Sequence, residues 1–201
     1  GTYKPDSVQL LKLSATGSLS NGNTSSNSNN LYLNDAYLEK RLRTQNNTTG
    51  NNNFDYVLDA DYTLKGKRKD QYSFGINYNR NTQQDNRDYS RYLYNPDGSL
   101  KDPEPDLQLN NNGNTGKNLQ LTADMEKAFD FLKLKTETGL KFNLNNSDNN
   151  QLVRKFDYNT GEYEINPFLT NSFDFKQNIY AGYLTLRLSV NKWNFKAGSR
   201  A

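Results

Sequence analysis

The chain has 201 residues, of which 33% are apolar, and its formal net charge is +3. With no Cys and no His it excludes thiol chemistry, disulfides, His-based acid/base work and most transition-metal sites. Lys and Arg alternate with Asp and Glu and do not form the basic stripe that neutralises phosphates, so no nucleic acid is expected as a partner.

Polarity of this degree commonly accompanies disorder. Here 14 Tyr and 10 Phe accompany it, and aromatics favour strands. Ordered strands joined by polar loops are therefore expected. No run of about 18 apolar residues exists for a membrane helix.

In chain order, the first strand is predicted over Val8 to Leu19, with imperfect alternation of Val8, Leu10 and Lys12 against Leu11, Leu13 and Ala15. Asn21 to Asn30 reads as a Ser/Asn/Gly linker. Leu31 to Arg43 is preferred as one strand, with a short helix over Ala36 to Arg43 as the alternative. Thr44 to Asn53 reads as a second Asn-rich loop.

The clearest unit runs from Phe54 to Arg80. Phe54, Tyr56, Leu58, Ala60, Tyr62 and Leu64 fall on one face of a strand, and Asp55, Asp59, Asp61, Thr63 and Lys65 fall on the other, with Val57 intruding. A basic turn, Lys65 to Asp70, leads into a strand whose apolar face is Tyr72, Phe74, Ile76 and Tyr78. Asn81 to Gly116 is predicted as a long connection. Within it Asn95-Pro96-Asp97-Gly98 has the chemistry of a turn, so a small hairpin projects there.

The next pair is Asn118 to Lys127 and Leu132 to Leu144, around a turn at Ala128 to Phe131. A long loop from Asn145 to Ser172 follows, with its own hairpin at Phe156 to Ile165. Phe173 to Val190 and Trp193 to Ala201 close the chain around Asn191-Lys192. The fold expected is all-β: an antiparallel up-and-down meander of about eight strands. Short turns fall near 66, 130 and 191 and long connections near 98 and 158, the asymmetry of a transmembrane β-barrel. The opening Gly1-Thr2-Tyr3-Lys4-Pro5 reads as mid-protein sequence and the end stops inside a strand pattern, so a fragment of a longer chain is expected.

The carboxylate pairs Asp59/Asp61 and Asp124/Glu126 read as a charged face balanced by Lys133, Lys135 and Lys141, not as acid/base partners. The oxygens of Asp157 to Glu162 do not match a twelve-residue calcium loop and read as a hairpin turn. Catalytic residues, metal ligands and cofactors are therefore not expected. Tyr and Trp suit a boundary where one end is apolar and the other wet. Phe54, Tyr56, Tyr62, Tyr72, Tyr78 and Trp193 are assigned to membrane interfaces, with Tyr56 and Tyr62 of the tilted strand roughly 15 Å apart across the membrane band.

Phe173-x-Phe175, Asn178-Ile179-x-Ala181-x-Tyr183, a tight hairpin and Phe195-x-Ala197-Gly198-x-Arg200 occur in that order. Upstream stand the basic turn at Leu64 to Gln71 and Leu132-Lys133-Leu134-Lys135-x-Glu137-x-Gly139-Leu140-Lys141. Together these resemble the barrel of TonB-dependent-receptor-like outer-membrane proteins over at least Phe54 to Arg200. The family usually has Gly-Leu-Arg where this chain has Gly198-Ser199-Arg200. The resemblance implies a partial outer-membrane β-barrel domain over 1–201, in the bacterial outer membrane and in contact with its lipid. It further implies preceding plug and following strands, energy-coupled uptake of an unknown nutrient, and a TonB-type energy-coupling complex engaged through other parts of the chain. Arg87, Tyr89, Arg91, Tyr92 and Tyr94, expected in the external loop, are the ligand-contact candidates, since aromatic and Arg side chains dominate recognition hot spots. A non-transporting structural or adhesive barrel and a soluble β-sheet binding module are the alternatives.

Overall fold

The computed structural model describes residues 1–33, 40–66, 70–130, 133–190 and 192–201. Among these residues there is no α-helix, and nine antiparallel strands form one sheet. They are β1 (Thr2–Tyr3), β2 (Gln9–Leu33), β3 (Lys40–Lys65), β4 (Gln71–Tyr94), β5 (Asp106–Phe129), β6 (Leu134–Asp157), β7 (Glu162–Ile165), β8 (Asn171–Val190) and β9 (Trp193–Arg200). Strand neighbours follow sequence order, with β8 beside β6 and the short β7 pairing the outer end of β6. The meander is as expected, with β1 as a small addition and β7 as the second arm of the hairpin expected at Phe156 to Ile165.

Strands β2 to β6 are much longer than expected, whereas β8 and β9 nearly keep their expected bounds. Asn21 to Asn30 lies inside β2 and Thr44 to Asn53 inside β3, paired residue by residue from Asn21↔Asn52 to Asn30↔Arg43. Leu31 to Arg43 is neither one strand nor a helix over its described residues. It ends β2 and begins β3, with Leu33 opposite Lys40; Ala36, Tyr37 and Leu38 lie outside the described residues. The connection expected over Asn81 to Gly116 shrinks to 95–105, and that over Asn145 to Ser172 is strand as far as Asp157. Asn has poor intrinsic strand preference, but that preference is weak against a ladder already in register. Side-chain amides also bridge the strands, with Asn111 donating to Asn86 and Asn118 to Asn143, both at 2.7 Å.

At the opposite end the turns are short. Lys65 pairs with Gln71, and the Gly66 amide donates to the Asp70 carbonyl at 2.8 Å; Lys67, Arg68 and Lys69 lie outside the described residues. β6 begins at Leu134, two residues later than expected, after Lys133 at φ 48°. Phe131, Leu132 and Asn191 are also outside the described residues. Gln71 is level with Glu126, three residues before β5 ends at Phe129. If the rim is level, three residues at about 3.4 Å over two strand spacings of about 4.8 Å give a tilt of about 45°, as barrel closure requires.

The expected hairpins are present. The Asn95 amide donates to Ser99 at 2.8 Å and the Gly98 amide to Asn95 at 3.0 Å, with Gly98 at φ 84°. Gly98→Ala therefore places a Cβ in the left-handed region at a cost of about 1 kcal/mol. Faster amide exchange at Asn95 with an unchanged barrel transition is the expected reading. Hydrogen bonds from the Ser99 hydroxyl and amide hold the Asp97 carboxyl below its ordinary value of 3.8. Their contribution is complete above that value and is lost as pH falls through the lower folded value.

Candidate functional site

Residues directly opposite each other share a face, so the register sorts the sheet into two surfaces. One surface carries Leu11, Leu13, Ala15 and Leu19 of β2, then Phe54 to Leu64 at every second residue of β3 and Tyr72 to Tyr78 of β4. It continues through Leu119, Leu121 and Ala123 of β5, Leu140, Phe142 and Leu144 of β6, and Tyr180, Leu184 and Leu186 of β8. Its side chains are open to the surroundings, Leu140 at 56% and Ile76 at 51% exposure. Crossing a bilayer takes about 9–11 tilted strand residues, and the belt has that length on β2 and β3, from Leu11 to Leu19 and from Phe54 to Leu64, at the short-turn half of the sheet.

Phe54, Tyr56, Tyr62, Tyr72, Tyr78 and Trp193 all lie on this apolar surface. Tyr56 sits 5.7 Å from Phe54 and 5.8 Å from Tyr78, ring to ring, at the outer margin of the belt. Tyr62 and Tyr72 lie toward the short turn, and Trp193 stands beside the last one, 71% exposed.

The other surface is polar and cross-linked. Asp59 accepts from Ser14 at 3.0 Å and Asn77 at 2.5 Å. Lys135 pairs with Glu126 at 2.6 Å, and Arg187 with Glu137 at 3.1 Å. The Lys135–Glu126 pair is the expected charge balance, whereas Asp59 is held by neutral donors and not by a lysine. Lys133 belongs to the turn, and Asp124 accepts from Tyr183 at 2.8 Å. That tyrosine, with Phe173, Phe175, Ile179 and Ala181, lies on the polar surface, because Gly139↔Tyr183 and Asp124↔Gly139 are opposed.

At the outer end of the polar surface lies a cavity of about 970 Å³. It reaches from Tyr32 and Arg43 on β2 and β3 to Glu164 and Phe168 at β7 and the connection after it. Arg43, Arg91 and Lys155 supply its cations. Asp102, Glu104, Asp106, Asp157 and Glu164 outnumber them, so the mouth is acidic. Asp106 is its fulcrum, with Arg91 at 2.5 Å and Lys155 at 3.4 Å. The Tyr158 hydroxyl donates to the Pro105 carbonyl at 2.7 Å, tying the two long connections together. Partial burial and then the Glu104 carboxylate hold this phenol above its ordinary value. The connection at 166–170 is anchored on Val153, 1% exposed, through the Asn166 amide at 2.8 Å and the Thr170 hydroxyl at 3.1 Å. Below the mouth a hollow of about 310 Å³ is lined by Gln83, Asn112, Asn114, Asn149, Gln151 and Phe173.

The five contact candidates are corrected in place: Arg87, Tyr89, Arg91, Tyr92 and Tyr94 belong to strand β4, not to a loop. Alternation then divides them. Arg87, Tyr89 and Arg91 share the polar surface, with Arg91 5.9 Å over the Tyr89 ring, whereas Tyr92 and Tyr94 face the other way. Of the five, Arg91 lines the mouth. Arg43, Lys155 and Glu164 were missed because their segments gave no hint of lying beside it. The readable signal was the Pro-Asp-Gly turn at 96–98, which marks the outer end of β4.

The family described as outer membrane protein beta-barrel family matches residues 66–201, the stretch from the first short turn through β9. Comparison with curated proteins gives no match.

Proposed function

The chain belongs to the outer membrane protein β-barrel family and lies in the bacterial outer membrane, and from that premise we propose that it is the barrel of a receptor for energy-coupled nutrient uptake. Membership replaces the soluble-module alternative. The observation that carries the reading is the acidic mouth of about 970 Å³ at the outer end of the polar surface, built from both long connections. A purely structural barrel has no need of a preformed hollow with convergent charged groups, whereas ligand sites are concave and contain a few placed polar side chains. The Arg91–Asp106–Lys155 arrangement holds these groups in position for a polar solute. Coupling to a TonB-type complex is part of the proposal and rests on the likeness of the β8–β9 residues to receptor barrels.

The test is nutrient-limited growth and solute uptake in cells lacking the protein, with and without a protonophore. Loss of uptake of one solute on deletion, an equal loss on collapsing the proton gradient, and a roughly tenfold fall for Arg91→Ala are expected. Uptake that survives the protonophore means a passive channel. Unchanged growth on every nutrient means a structural or adhesive barrel. Either result overturns the proposal.

A further inference from the structure

At the outer margin of the apolar belt a transverse row runs Gly17, Tyr56, Arg80, Lys117, Asn146, Lys176, each opposite the next. Arg80 and Lys117 are thus direct cross-strand neighbours of like charge. Such a pair has Cβ atoms about 5 Å apart and is destabilising by itself. Among the described residues neither has a carboxylate within ion-pair distance, and the Arg80 Nε is buried without a hydrogen-bond partner. The carboxylates of the same surface nearest this row, Asp148 and Asp174, stand one step further out and opposite each other on β6 and β8. Asp148 is diagonal to both Lys117 and Lys176 and makes an ion pair with neither among the described residues, while Arg80 has no carboxylate opposite or diagonal to it.

Position indicates which anion suits the pair. Tyr78 and Leu119 end the apolar belt on β4 and β5, and Arg80 and Lys117 come two residues later on the same surface. That surface faces lipid, and the end of the sheet with the long connections is the external rim in this architecture. The two cations therefore stand at headgroup depth of the outer leaflet, where long basic side chains extend from the hydrocarbon boundary. We propose that Arg80 and Lys117, with Lys176 two strands on, form a binding site for the phosphate group of an outer-leaflet lipid. The planar guanidinium takes two phosphate oxygens, the ammonium a third, and the phosphate removes the repulsion between them. The site lies on the outer wall and does not depend on what passes through the lumen.

The experiment incorporates the protein into nanodiscs containing equal amounts of bisphosphorylated lipid A and its dephosphorylated form, and measures co-retained lipid by native mass spectrometry. Roughly tenfold enrichment of the phosphorylated lipid is expected for the unaltered protein. Arg80→Gln with Lys117→Gln should abolish the preference while the folded gel mobility stays unchanged. Lys141→Gln, a cation on the polar surface, should leave it intact. If the double variant does not fold, Lys117→Gln alone should still reduce the enrichment severalfold. No enrichment in the unaltered protein, an equal loss with Lys141→Gln, or complete displacement by millimolar inorganic phosphate overturns the assignment.

Discussion

Leu58→Arg should weaken membrane insertion by about 2–4 kcal/mol, the cost of a basic side chain on the lipid face near the middle of a barrel wall. Leu58 lies between Ala15 and Tyr78 on the apolar surface and is 46% exposed, so its surroundings are what the sheet faces and not other side chains of the protein. The adjacent Val57 is opposite Thr16 and Asn79 on the polar surface. Val57→Arg should stay within about 1 kcal/mol, because a hydrated lumen accepts charge that lipid does not. Urea midpoints of the protein refolded in liposomes separate the two variants. Equal shifts would mean that both surfaces meet the same medium, and the lipid-facing assignment would fail.

Gly139→Val should destabilise the folded barrel by about 1–3 kcal/mol through overpacking. Gly139 is buried, and a Cβ there would collide with the Tyr183 ring and the Asp124 carboxylate. The tyrosine reaches over the glycine from β8 to donate to Asp124 on β5, so one side chain joins three strands. Tyr183→Phe removes only the hydroxyl and should cost about 0.5–1.5 kcal/mol. The two effects should not add. Once the introduced valine displaces the ring, the hydrogen bond is already lost, and Tyr183→Phe in that background should cost almost nothing. Additive denaturation midpoints would show that the ring does not depend on the glycine.

Much of the wall was legible because alternation within one strand needs no partner. Phe54 to Leu64 against Asp55 to Lys65 identifies an apolar and a polar surface from adjacent positions alone, and the Lys65–Asp70 and Asn95–Gly98 segments mark where the chain reverses. The order Phe173 to Arg200 pointed to the family for the same local reason. What misled was the Asn-rich text. Asn29 and Thr44, or Asn112 and Gln151, become strand residues only when each has the other side's backbone to bond.

The acidic mouth was not legible. Arg43, Arg91, Lys155 and Glu164 meet there from four strands, and no local pattern states which of them end at the same height. The sequence by itself determined the two surfaces, the barrel class and every reversal from β3 onward, since these follow from side-chain alternation and turn chemistry within short windows. The reversal between Leu33 and Lys40 was not among them. Only the tertiary structure decided the strand lengths, the Tyr183–Asp124 joint across Gly139, the mouth and the facing pair Arg80–Lys117. Each depends on register, and register is set by backbone pairing between segments that no single window contains.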